Sequence, residues 1–395
     1  MGKKSKVKKE KKVTKAEAKD KEAQEHSDIA SEVLDDGYID VMDDKTVALF
    51  PMGDMIIPTG IDYMPGDPEE DALAVTDALP EIEDLCNLVV PKIFSLKGVV
   101  ATPAQMLELS KAVQKELSRK EVAGVVVTLP ADTIEETAFF VSISLSDQFQ
   151  NENSKPIVFT SCMNPEDPMF DGTKNLLDSI RVACHDVKGD IPTVVICMNG
   201  EIHAASRAQL SHTSRSSALS SPGWGPVGYV DRDNVYFRSG ALELDTGLNF
   251  PLLKKITANV VLVKAVTGDD GVLLTAAAQT KPDAVIIEGF GRGNLPAAMM
   301  PSVKKLLKQG ILTVIATRVA AGRVLDTYDF PGSVSQCIEL GCLLAGETTA
   351  SKARLLLLYI LSQKEALKLR EEDPERFFAY VQECLDPVLS NRLFG

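Results

Sequence analysis

The chain has 395 residues, enough for two domains, since single cores seldom grow past roughly 250–300 residues. Apolar residues make up 45% and charged residues 25%, as in soluble globular proteins, and no run of eighteen apolar residues offers a membrane span. The net charge of −14 is uneven: residues 1–22 carry ten Lys against four acids, a local +6 that leaves −20 for the rest, so the folded body is not expected to bind nucleic acid.

Seven Cys, an odd number without a C-x-x-C pair, read as reduced thiols of a cytoplasmic protein rather than a disulfide framework. Four His without ligand spacing give no expectation of a metal, and no cofactor is expected. The Lys-rich start has no apolar run behind it and does not read as a secretory signal. Residues 1–44 read as a disordered, charged arm able to touch an anionic partner.

In chain order, Thr46–Phe50 is a short apolar run suited to a buried parallel strand, closed by the turn Pro51-Met52-Gly53-Asp54. A Pro/Gly/Asp-rich loop at 58–68 holds Tyr63, and such loops often close over sites. A helix is expected at 78–85. Thr102-Pro103 is an N-cap followed by Pro at the first helical position, so a helix should run to Leu117. A strand at 122–128, a helix at 132–144, a strand at 156–160, a helix from 171 to 183 and a strand at 192–198 follow. Alternation of this kind indicates a parallel sheet covered by helices on both faces. Residues 203–250, rich in Ser, Gly and Arg, break the pattern, and 236–256 read as an interdomain connection. Alternation resumes with strands at 260–263, 284–287 and 312–315, helices at 271–278 and 296–308, and further helices at 333–345, 350–363 and 373–388. These readings divide the chain into the arm 1–44, an N-terminal domain 45–235, the linker 236–256, a smaller C-terminal domain 257–370, and a terminal helix and tail 371–395.

The most informative stretch is Val125 to Thr137. An apolar strand stops at Leu129-Pro130, and Ala131-Asp132-Thr133 opens a helix carrying Glu135-Glu136-Thr137. A strand end beside a helix amino terminus is where α/β proteins bind ligands. The stretch resembles the second catalytic motif of the L-asparaginase/glutaminase family, His-Gly-Thr-Asp-Thr before a Glu-Glu-Thr helix. Further similarities follow in order: Cys162-Met163-Asn164-Pro165 with Asp171-Gly172 and Asn175-Leu176, His212-Thr213 with Gly225-Pro226-Val227-Gly228-Tyr229, Gly289 to Pro296, Thr317-Arg318, and Lys352-Ala353-Arg354. The resemblance implies a two-domain asparaginase fold, a parallel sheet in the larger domain, a homo-oligomer (dimer or tetramer), and a small amino-acid-like ligand.

That family hydrolyses an amide with an activated Thr hydroxyl, which needs a base and polar partners beside it. Carried over position by position, the resemblance puts Asp54 at the first nucleophile, Gly98 and Val99 at the substrate-binding pair, Ala131 at the second Thr and Leu210 at the relay Lys. Tyr63 fits the loop Tyr, Asp132 is retained, Cys162 lies in the next matched segment, and Asn294 resembles a residue supplied by a neighbouring subunit. These nine residues form the expected ligand pocket, with no catalytic residue assigned. The reading is therefore a degenerate member without the Thr nucleophiles. The alternatives are an amidohydrolase with a rearranged site and an assembly protein using its basic arm. Asp54 and Asp132 could also pair for acid/base work. More simply, Asp132 reads as a helix cap and Asp54 as a turn residue. Thr59, Thr133 and the His212/Ser214 neighbours do not by themselves rebuild a nucleophilic site.

Overall fold

The computed structural model describes residues 45–52, 75–93, 101–150, 154–163, 171–185, 192–240 and 248–386. Asp54, Thr59, Tyr63, Gly98, Val99, the arm 1–44 and the tail beyond 386 lie outside the described residues.

The strand-forming runs assemble one eight-stranded sheet. It holds β1 (Thr46–Pro51), β2 (Asn87–Val89), β3 (Val122–Thr128), β4 (Ile157–Thr160), β5 (Val194–Met198), β6 (Glu201–Ala204), β9 (Gly228–Asp231) and β10 (Asn234–Phe237). A separate hairpin pairs β7 (Gln209–Leu210) with β8 (Leu219–Ser220). The order is β10-β9-β6-β5-β4-β3-β1-β2. β2, β1, β3, β4 and β5 are mutually parallel, whereas β6, β9 and β10 join antiparallel. The expected parallel sheet is thus present as β2-β1-β3-β4-β5, and three antiparallel strands extend it into a mixed one. Within the Ser/Gly-rich break, β6, β9 and β10 extend the same sheet antiparallel, and they are strands too short to announce themselves.

Helices α1 (Pro103–Leu117), α2 (Ile134–Ser144) and α3 (Gly172–Cys184) connect the parallel strands. α1 starts where expected: Thr102 accepts from the Gln105 amide, Gln105 returns the bond, and Pro103 fills the first turn. The helix expected at 78–85 is instead helical only at 75–78, with one 3-10 turn at Pro80–Ile82. α3 crosses β3 closely. A Cβ built on Gly124 would lie 2.3 Å from the Ala183 carbonyl oxygen, backbone against backbone. Gly124→Ala is therefore expected to cost about 3 kcal/mol, read as a lower midpoint in urea with unchanged slope.

The second sheet is all parallel, in the order β11 (Val260–Lys264), β12 (Ala284–Gly289), β13 (Leu312–Thr317) and β14 (Leu343–Leu344). Around it pack α4 (Val272–Gln279), α5 (Met300–Lys308), α6 (Val334–Glu339), α7 (Ala350–Ile360), α8 (Lys364–Glu372) and α9 (Pro374–Leu385). The helix expected at 333–345 is only α6; the chain then turns at Gly341 into β14. α8 is a further element. It is separated from α9 by Asp373, whose side chain caps α9 at the Arg376 amide, with Pro374 at the first helical position. α9 belongs to this lobe, because the Gln382 side chain bonds both the amide and the carbonyl of Leu344. β10 extends two residues into the stretch expected to link the lobes.

One apolar cluster is continuous across the two sheets, from Phe50, Val125, Phe140 and Phe159 to Ile286, Val314, Leu356 and Tyr359. Tyr359 is fully buried; its hydroxyl accepts from the Leu253 amide at 3.1 Å and donates to the Pro251 carbonyl at 2.8 Å. Beside it, the buried Lys352 ammonium at the start of α7 donates to the carbonyls of Ala205, Ser206 and Ala208 at 2.9, 3.2 and 2.6 Å.

Candidate functional site at the strand ends

The order β2-β1-β3-β4-β5 reverses direction between β1 and β3, and open α/β sheets bind ligands outside the carboxyl ends at such a point. Pro51 pairs with Thr128, and the Met52 amide donates to the Thr128 carbonyl at 2.7 Å, so both strands stop level with one another. Beyond Thr128, the Leu129 amide crosses to the Thr160 carbonyl at 3.3 Å, and one 3-10 turn, Ala131–Thr133, leads into α2.

Ala131 is buried in that turn and brings only a methyl group to the place where the family resemblance expects a hydroxyl. Asp132 is exposed and makes no hydrogen bond among the described residues, so it does not cap α2; its charge sits at the helix's positive end. Thr133 turns inward, its hydroxyl accepting from the Ala101 amide at 3.4 Å, and is structural.

Leu210 stands on β7, and its amide donates to Glu135 Oε2 at 2.5 Å. Glu135 thus ties the β7–β8 hairpin to the amino end of α2 and brings position 210 beside the strand-end turn. Glu136, next on α2, has its carboxyl pushed above the usual range, by burial first and then by the Glu135 charge, against the pull of Arg354 and Lys352. Lys352 is itself lowered to about 8, chiefly by burial. Its three donors are committed to the carbonyls of Ala205, Ser206 and Ala208.

Cys162 is buried at the end of β4, and burial, followed by the Asp171 charge, pushes its thiol up to about 12. It stays protonated. The His212/Ser214 neighbours form a local turn, in which His212 Nδ1 accepts from the amides of Ser214 and Arg215 at 3.1 and 3.2 Å. That nitrogen is not free to act as a base for Ser214.

Asn294 stands in the turn after β12. Its Oδ1 accepts from the Val334 amide at 3.3 Å, while its backbone bridges to Phe290. Met52, Ala131 with Asp132, and Cys162 follow the carboxyl ends of the adjacent strands β1, β3 and β4, Leu210 stands on the separate β7–β8 hairpin tied to α2 by Glu135, and Asn294 follows β12 of the second sheet.

The Asp171-Gly172…Asn175 motif holds these strand ends. The Asp171 carboxylate accepts from the Met163 amide at 3.1 Å. The buried Asn175 donates to the Ser161 carbonyl at 2.9 Å and accepts from the Asn199 amide at 2.8 Å, joining the ends of β4 and β5. Asn175→Leu strands both groups and is expected to cost about 3 kcal/mol, measured by urea unfolding, without altering the chemistry of the turn at 131. In the sequence, Glu135 and Asn175 stand out only as parts of motifs. Their tethering roles depend on partners far away in the chain.

Residues 61–242 match the family profile described as "Asparaginase, N-terminal", and residues 259–372 match "Glutaminase/Asparaginase C-terminal domain". The L-asparaginase of Bacillus licheniformis is 30% identical over 299 residues, covering 73% of this chain and 89% of the relative. The glutaminase-asparaginase of Pseudomonas aeruginosa is 29% identical over 295 residues, covering 74% of this chain and 78% of the relative. A crystal structure from Campylobacter jejuni, described as a probable cytoplasmic L-asparaginase, superposes with a TM-score of 0.71 at 25% identity, covering 86% of this chain and 99% of that one. The chain belongs to the asparaginase/glutaminase family and has its two-domain fold. Among the described residues, no helix is long and apolar enough to cross a membrane.

Proposed function

We propose that this chain is a degenerate member of the family, one that keeps the fold and a strand-end pocket but does not perform threonine-dependent amide hydrolysis. The observation that carries the reading is Ala131, a methyl group at the end of β3 with Leu210 tethered beside it by Glu135, where the chemistry needs a hydroxyl and an amine. The pocket comprises Ala131, Asp132, Cys162 and Leu210 with Asp54, Tyr63, Gly98 and Val99, completed by Asn294 from a second copy in a homo-oligomer. It takes a small amino-acid-like ligand and needs no cofactor. The working division is residues 45–235 and 257–370 as two domains, and seven free thiols fit a cytoplasmic setting.

Ammonia release from asparagine, glutamine and a small amide panel tests the proposal. Turnover within about a hundredfold of ordinary enzymes, whose median is about 10 per second, would overturn it. A thermal-shift screen of amino acids then finds the ligand, which raises the melting temperature by binding the folded state. The names of the relatives favour a second reading, amide hydrolysis by a rearranged site, and the same assay decides between the two.

A further inference from the structure

Away from the pocket, at the amino edge of the large sheet, two thiols meet. Cys86 follows the 3-10 turn Pro80–Ile82 and precedes the edge strand β2; Cys184 ends α3. The two thiols share a hydrogen bond. Cys184 Sγ also lies 3.9 Å from the carbonyl oxygen of Leu85, the residue preceding Cys86. Lys45 bridges the same two segments: its carbonyl accepts from the Asn87 amide at 2.8 Å and its ammonium donates to the Cys184 carbonyl at 2.5 Å. Lys45, through its carbonyl on one side and its ammonium on the other, therefore holds together the two segments that carry the cysteines, and the shared hydrogen bond puts their sulfurs in contact.

We propose that Cys86 and Cys184 are a reversible dithiol–disulfide site that staples the edge strand β2 to the end of α3 when the protein meets a thiol oxidant such as glutathione disulfide. Cys184 is partly exposed and meets the oxidant first, whereas Cys86 is buried behind it. The Cys184 thiolate attacks one sulfur of glutathione disulfide and expels a glutathione thiolate. The Cys86 thiolate then attacks the Cys184 sulfur of the mixed disulfide and expels the second. The protein loses two electrons and two protons, and glutathione disulfide is reduced to two glutathione molecules. Until Cys184 is capped, Cys86 is held protonated by the shared hydrogen bond and by burial, which fits it to the resolving step.

The position determines the effect. β2 begins level with β1 at the Thr46–Asn87 pair, and Cys184 closes the helix whose other end lies beside Asp171. The disulfide forms at the sheet edge opposite the pocket, so it changes stability and leaves the strand-end turn alone. A second thiol pair, Cys337 and Cys342, also shares a hydrogen bond, but both members are buried and joined by a short local turn.

The test uses full-length protein reduced, then exposed to glutathione disulfide, alkylated, digested without reductant and mapped by mass. The expected result is a Cys86–Cys184 linked peptide two hydrogens lighter than its parts. A melting temperature about 5 °C higher, reversed by dithiothreitol, should accompany it, since the bond closes a long loop of the unfolded chain. Cys184→Ser removes both signals, and Cys384→Ser, a partly exposed thiol elsewhere, keeps both. A stable glutathione adduct on Cys184 without the linked peptide, linkage only at other cysteines, or a linked peptide with no rise in melting temperature overturns the proposal.

Discussion

Lys352→Met is expected to lower the unfolding free energy by about 3–5 kcal/mol and the melting temperature by about 5 °C. The Lys352 ammonium is fully buried, and each of its protons is directed to a carbonyl of the Ala205–Ala208 turn. A methionine of similar length fills the volume but leaves three acceptors, two of them buried, without this donor. The wild-type protein should also show a pH signature that the variant lacks. Burial lowers this amine from 10.5 to about 8 in the folded chain. Below about pH 8 both states hold the proton, and the cost of burying the charge is present in full. Between about pH 8 and 10.5 the unfolded chain holds a proton the folded chain has released, so this group's contribution to stability rises with pH. Urea titrations of both proteins at pH 7, 8, 9 and 10 check it. The wild-type advantage over the variant should change across that window and stay flat below it.

On the proposed reading, Ala131→Thr, which places a hydroxyl at 131, is expected to leave ammonia release from asparagine no higher than that of the parent chain. Loss of the nucleophile from such a constellation removes about 10⁶ of turnover, which puts a typical enzyme of about 10 per second near 10⁻⁵ per second. A hydroxyl alone is a poor nucleophile at its ordinary pKa. Position 210 offers an isobutyl group, with its amide held by Glu135, and the Lys352 amine is fixed to carbonyls. The outcome is read by coupled ammonia assay on parent, Ala131→Thr and Ala131→Thr/Leu210→Lys. Rescue of the single variant to within about a hundredfold of ordinary turnover would show that the machinery at this strand end is intact.

The regular parts of the fold were legible because local signals agreed with their burial. β3 is an unbroken apolar run buried almost throughout, and α1 has its cap, its Pro and its apolar spacing in one stretch. β6 to β10 were not legible, because strands of two to four residues in Ser/Gly-rich chain carry no period. β14 and the break between α8 and α9 fall in the same class: two residues of pairing, and one Asp-Pro cap, outweigh a helical pattern on either side. At the site, the methyl group at 131 could be read from the motif alone. Glu135 bonding Leu210 across 75 positions could not, nor could Lys352 reaching back 144 to 147 positions, because sequence order does not encode which loops share a wall.

The apolar cluster that runs from Phe140 to Tyr359 without a gap has a bearing on how such a protein can be divided or evolve. Two lobes joined through a shared interior are not modules on a hinge. Their boundary is a plane through a core, and cutting the chain there would leave Leu356 and Tyr359 facing water on one piece and Phe140 and Phe159 on the other. Changes at this seam are therefore felt by both halves at once, and the two lobes vary together under a single constraint of packing.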